Sequence, residues 1–276
     1  VWVSLLLLPA IFYQGARTGP LAQGVAGLSI AFLAVHAVIV LGAPRAAMFA
    51  GISLAVTFAI ENIGTATGVP YGHYAFLVGS TLIHIGAIPI IVGPLYCAFG
   101  YQAWIIACLL VGADINGPRD RLSLIAVPVV AAFTITQWDV VMDPPSATIG
   151  HAWIWFDGGG YFGVPLSNFL GWFLTTWIFL QLFALATYRL RDRHPRGPSA
   201  SYFLVFPILT YMASGLSHLM PLLDPDMRVL DGAGRAWSSA DIRTSAAVIA
   251  LFTMLPTSLL ALIRLAQQRA AVGDDG

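Results

Sequence analysis

Glu61, Asp139 and Asp143 are carboxylates set in long apolar stretches, with no Lys or Arg beside them to neutralise their charge. The stretch "TQWDVVMDPP" puts Asp139 and Asp143 four residues apart, stacked on one face of a helix if helical geometry persists to the Pro-Pro pair. Two carboxylates stacked this way repel when both are ionised, so a poorly hydrated site is expected to keep at least one of them protonated at neutral pH. A protonated carboxyl can act as an acid, and a second, ionised one can hold a water and accept its proton. Asn168 and His218 stand in neighbouring apolar runs as groups that could orient such a pair. His36, alone inside an apolar run, reads as a bonded core residue. His73, His84 and His151 read as loop residues bonding to carbonyls, and Asp157, before three glycines, as a loop residue too.

The elements that must hold these groups are membrane spans. The chain is 58% hydrophobic and only 9% charged, against about 25% charged in a typical soluble domain. Its mean hydropathy is +0.81. Several runs reach the roughly 17 to 25 apolar residues that cross the hydrocarbon as a helix. Read in order they give about eight spans, at residues 1–14, 21–42, 46–61, 88–112, 122–141, 166–188, 202–222 and 242–264, separated by Gly, Pro and charge clusters such as "NGPRDR" and "RLRDRHPRGPS". The first run has no small-residue cleavage pattern and reads as a mature helix. The expected fold is all-α: one integral domain over residues 1–276, a polytopic bundle whose interfacial or re-entrant loops cover a site at one end.

Alternate loops sort onto two sides. Arg45, Arg119, Arg121, Arg189, Arg191, Arg193, Arg196, Arg264 and Arg269 fall on one, and only Arg17, Arg228, Arg235 and Arg243 on the other. By the positive-inside rule the first side is cytoplasmic, with both termini there, which puts the site of this multi-pass cell-membrane protein nearer the non-cytoplasmic face. The loop after Glu61 and the segment 142–165 emerge together on that face, and neither contains a Lys or Arg. A net charge of zero and the lack of a basic cluster interleaved with aromatics point away from nucleic acid and towards lipid-soluble partners. Cys97 and Cys108 are expected to form neither a disulfide nor a metal site, and no two His lie within five positions of each other, which speaks against an iron-dependent oxygenase. No metal or cofactor is expected.

The stretches "ENIGTATGVPYGHYAF", "WDVVMDP" and "WIWFDGGGYFGVPLSNFLGW", within a multi-span frame, resemble the membrane carotenoid hydratases, a family that includes bisanhydrobacterioruberin and gamma-carotene hydratases. The likeness runs from about residue 46 to the last helix. The family's motif positions fall on Glu61, Gly64, Thr67, Gly68, Tyr71, Gly72, Tyr74, Asp139, Asp143, Pro144, Trp153, Trp155, Gly160, Pro165, Asn168, Gly171 and Trp172. The resemblance implies a cofactor-independent lyase that adds water across the terminal double bond of an acyclic carotenoid end, leaving a tertiary alcohol. Its implied partners are a carotenoid drawn from the bilayer, water, membrane lipids and other enzymes of the same pathway.

The residues suit that chemistry. Hydrating an unactivated trisubstituted alkene needs an acid able to protonate carbon, a cavity that tolerates a tertiary cation, and a water delivered to the more substituted carbon. Asp139 or Asp143 is the expected proton donor and Glu61 the water-holding partner, or the two roles are exchanged, with Asn168, Tyr71, Tyr74, Thr67 and His218 binding or orienting. Trp138, Trp153, Trp155 and Tyr161 supply aromatic faces for the cation. Gly64, Gly68 and Gly72 are expected to turn the chain tightly and leave room for a flat polyene. An end-group cyclase would use the same acid, and a proton-coupled transporter would also place carboxylates in its spans.

Overall fold

The computed structural model describes residues 20–190 and 203–273. Its helices are α1 (Pro20–Leu41), α2 (Ala43–Thr67), α3 (Val92–Val111), α4 (Arg121–Pro144), α5 (Leu166–Arg189), α6 (Val205–Leu216), α7 (Ser239–Ile249) and α8 (Leu255–Gly273). A π-helical turn, Pro145–Ile149, extends α4; a 3-10 segment, Ser217–Leu223, extends α6; and the π turn Ala250–Met254 joins α7 and α8 into one rod. Among the described residues, six of these rods are long and apolar enough to cross a membrane. The expected count of about eight is not confirmed by these six. The predicted span 1–14 lies outside the described residues, and the predicted span 21–42 coincides with the 22-residue helix α1 (Pro20–Leu41). The chain is nonetheless a multi-pass membrane protein built as an all-α bundle.

The burial pattern follows from having two apolar surroundings, protein and lipid. Leu122, Ile125, Leu170 and Phe252 are exposed on the outside of the bundle, as lipid-facing side chains would be. In α3, Trp104, Ile105, Ile106, Ala107 and Cys108 are all fully buried, so this helix is enclosed on every side. It packs against α1, α2, α4, α6 and α8, while α4 packs most extensively on α5.

Helix boundaries differ from the sequence expectation in two places that bear on function. α2 does not stop at Glu61 but continues through Gly64 to Thr67, ending where Gly68 takes the left-handed conformation (φ 79°) and donates its N–H to the Gly64 carbonyl. Glu61 is thus inside a helix rather than at its edge. The Pro144-Pro145 pair does not stop α4 either, because both prolines adopt helical φ values of −58° and −59°. A helical proline deprives the carbonyl four residues earlier of its donor. Here those carbonyls find side chains: the Tyr161 hydroxyl donates to the Val140 oxygen at 3.3 Å, opposite Pro144, and Gln181 Nε2 donates to the Leu124 oxygen at 3.0 Å, opposite Pro128.

One end of the bundle is roofed by three loops carrying short antiparallel pairs. β1 (Tyr74–Phe76) follows α2, and β2 (His84–Ile85) pairs with β3 (Ile88–Pro89) in the same loop. β4 (Trp153–Trp155), between α4 and α5, pairs with β1 in the register Tyr74 to Trp155. The third loop is the hairpin of β5 (Arg228–Leu230) and β6 (Ala236–Ser238), whose turn is organised by Asp231 accepting from the Ala233 and Arg235 N–H groups and from Trp237 Nε1. A side chain at Gly163 would collide with Asp231, so this glycine lets the hairpin sit directly on the 150–165 loop.

Candidate functional site

Beneath this roof α4 brings Asp139 and Asp143 onto one face, fully buried, and α5 sets Asn168 between them. The Asn168 amide donates one hydrogen to Asp139 Oδ2 at 3.0 Å and the other to Asp143 Oδ2 at 2.5 Å. Asp143 Oδ1 accepts from Trp153 Nε1 at 2.7 Å and Trp155 Nε1 at 3.4 Å, both carried on β4. Asp139 Oδ1 is buried with no hydrogen-bond partner.

Glu61 sits in a second cluster built from phenols. Tyr74, on β1, donates to Glu61 Oε2, and Tyr96, on α3, donates to Oε1 at 2.7 Å. The Tyr71 hydroxyl lies 2.7 Å from Thr175 Oγ1 and 3.4 Å from the Tyr96 hydroxyl, which extends the cluster to α5. Burial, reinforced by the nearby Glu61 charge, pushes the Tyr71 and Tyr74 phenols well above their usual range, so they remain hydrogen-bond donors at any working pH. Glu61 lies within charge-interaction range of Asp139. The Tyr71 ring is slotted between two helices at glycines: a Cβ on Gly64 would lie 2.7 Å from it and one on Gly171 2.5 Å. This corrects the expectation for Gly64, whose open side is filled by Tyr71 rather than left for a polyene.

An aromatic wall runs between the two clusters. Phe99 stacks on Trp138 with centroids 3.8 Å apart, Trp138 meets Trp172 at 5.8 Å and 67°, and Trp172 lies flat on Tyr96 at 4.0 Å. Tyr74 closes on Trp155 at 4.9 Å. Faces of this kind attract a cation by roughly 0.5–2 kcal/mol per good contact.

The structure brings together Glu61, Asp139, Asp143, Asn168, Tyr71, Tyr74, Trp138, Trp153 and Trp155. Of the other expected residues, Thr67 and His218 stand apart from the cluster, and Tyr161 lies beside it. Thr67 is exposed, donating to the Ile63 carbonyl of its own helix, because six residues at about 100° each turn it away from the Glu61 face. Tyr161 serves the Val140 carbonyl within charge-interaction range of Asp143, and burial, reinforced by that charge, pushes its phenol up to about 12. No hydrogen bond joins His218 to the carboxylates; it lies on the 3-10 segment after α6. Tyr96, Thr175 and Phe99 were not singled out from sequence. His36 is held between the Tyr101 hydroxyl and the Phe203 carbonyl, each at 2.8 Å, as a core residue. His73 and Asp157 pair at 2.7 Å on the exposed side of the roof, and His84 Nδ1 lies 2.8 Å from the Leu82 carbonyl oxygen. Among the described residues, no group of three or more His, Cys, Asp or Glu is arranged to hold a metal ion.

Buried carboxylates inside a spanning bundle, roofed by aromatic loops and walled by stacked rings, define a polytopic membrane protein with a buried carboxylate cluster at one end. Sequence comparison gives the family. Residues 24–223 match the family described as carotenoid biosynthesis protein, and the chain belongs to it. Part of the chain is also similar to the bisanhydrobacterioruberin hydratase of Haloarcula japonica, 29% identical over 128 residues. That match covers 46% of this chain and 41% of the relative, so it spans about two fifths of the relative's length. No solved structure matches the chain significantly.

Proposed function

We propose that this protein adds water across the terminal double bond of an acyclic carotenoid end, giving a tertiary alcohol. The substrate class comes from the family description and from the name of the Haloarcula japonica relative. The reaction type rests above all on the bare oxygen of Asp139. Glu61 Oε1 and Oε2, Asp143 Oδ1 and Oδ2, and Asp139 Oδ2 are all held by protein donors; Asp139 Oδ1 is not. Asp143 has three N–H donors and Glu61 two phenols, which suits both to being anions, whereas a carboxyl with one donor is the better place for a proton.

In this reading the Asp139 carboxyl gives its proton to the less substituted alkene carbon. The π electron pair forms the new C–H bond, and the neighbouring carbon becomes a tertiary cation facing the Trp138 and Trp172 rings. A water attacks that carbon; its excess proton goes to Glu61 and is returned to Asp139, so one water is consumed and the acid is restored. Adding water leaves the overall oxidation state unchanged, so no redox partner is required. The Arg distribution favours a roof that faces away from the cytoplasm.

The test is expression in cells that accumulate lycopene or an acyclic fifty-carbon carotenoid, followed by pigment mass spectrometry. A gain of one or two waters is expected. Unchanged mass with altered retention would assign the same acid to a cyclase, and unaltered pigment with both substrates would overturn the proposal.

A further inference from the structure

We infer that the face of α2 immediately inward of Glu61, at Thr57 and Ser53, binds the water that the reaction consumes. The inference rests on the hydration reading above and extends it to a second binding site. Ser53, Thr57 and Glu61 follow one another at intervals of four, one helical turn each, so they line a single face of α2. All three are buried, Ser53 and Thr57 completely. The Thr57 hydroxyl has no hydrogen-bond partner, and Ser53 Oγ has only the weak Cys97 thiol beside it.

That state is unusual within this molecule. The hydroxyls of Thr134, Thr136, Thr187, Thr210 and Thr253 all donate to the carbonyl four residues back in their own helices. This is the ordinary refuge of a hydroxyl at membrane depth. The Thr57 and Ser53 hydroxyls, though buried, make no such bond. A buried polar group without a protein partner is the usual mark of an ordered water, which needs two to four polar neighbours. Thr57 can supply one and Glu61 another.

The stripe is closed at its inner end. One turn below Ser53 stands Phe49, edge-on to Phe179, Phe183 and Tyr101. These rings end the polar face on the side away from Glu61. A neutral molecule that both donates and accepts suits such a face, and the reactant water has that chemistry. Held by the Thr57 hydroxyl and the Glu61 carboxylate, its oxygen keeps a lone pair for the cation. As the C–O bond forms, the released proton passes to Glu61.

Thr57→Val keeps the side-chain shape and removes the hydroxyl; Thr57→Ser keeps the hydroxyl. With purified protein in detergent, Thr57→Val is expected to lower kcat for hydration roughly ten- to a hundredfold with KM unchanged. It should also raise the share of alkene isomer of unchanged mass, formed when the cation loses a proton before water arrives. Thr57→Ser should restore both. Wild-type kcat and product ratio in Thr57→Val would overturn the inference. Thermal unfolding gives a readout that does not depend on activity: removing a truly unpartnered hydroxyl raises the melting temperature, whereas removing one bonded to water lowers it. A higher melting temperature for Thr57→Val would therefore also overturn the site. A lower one, in a wild type that hydrates nothing, would support the water and contradict the reaction.

Discussion

Glu61 and Asp139 are both buried carboxylates on spanning helices, and their surroundings differ in the number of donors. Glu61 is gripped at both oxygens by Tyr74 and Tyr96, while Asp139 shares one amide with Asp143 and leaves its second oxygen bare. In the proposed hydration, identical functional groups in similarly dry places take opposite tasks, one carrying negative charge and the other a proton. The neighbouring Asp143, held by two indoles and the same amide, shows that stacking on one helix face does not make two acids equivalent.

The largest test of this contrast is the pair Asp139→Asn and Glu61→Gln. Both replacements keep the shape and lose the titrating group. Asp139→Asn is expected to cut hydration by at least about a hundredfold, since it removes the acid itself, and Glu61→Gln by less, since the neighbouring Asp143 carboxylate can take the proton in its place. Equal losses in initial rate would erase the distinction. A smaller effect is expected from Tyr96→Phe, which strips one of the two phenols from Glu61; kcat should fall by roughly tenfold while pigment binding is unchanged. Gly171→Ala acts on packing. It drives a methyl into the Tyr71 ring, and the expected cost is about 1–3 kcal/mol, read as a lower melting temperature.

The smallest effect lies at the opposite end of the bundle, where Asp114 has what Glu61 lacks, a cation: Arg119 forms an ion pair with it. Burial pushes the Asp114 carboxyl up, but the Asn116 N–H and Arg119 outweigh it and hold it below the usual range. A carboxyl depressed in the folded state adds stability above its unfolded pKa and loses it as pH falls through the folded value. Asp114→Asn should therefore reduce stability near neutral pH by less than about 1 kcal/mol, since the pair is partly exposed, and should flatten the acid limb of a stability–pH curve.

What the sequence made legible follows from periodicity and from chemistry that apolar runs cannot tolerate by accident. Asp139 and Asp143 at an interval of four, with Asn168 opening the next span, could be grouped because a helix brings such positions together. Tyr96 could not, because a tyrosine in "PLYCAFGY" reads as one more apolar residue until the fold turns it to Glu61. The end of α2 was misread because two glycines in "GTATG" argue against helix, whereas Gly64 is needed there to admit Tyr71. That extension also explains why Thr67 points outwards. The three-residue strands β1 and β4 are too short for alternation to register, yet their pairing is what carries Trp153 and Trp155 to Asp143.

The most direct test of the central claim, that Asp139 delivers the proton, is to run the reaction in deuterium oxide and weigh the pigments. Wild type should place one non-exchangeable deuterium on carbon for each hydrated end, and Asp139→Asn should place none while Glu61→Gln still places some. Deuterium arriving on carbon in Asp139→Asn at the wild-type rate would contradict the account.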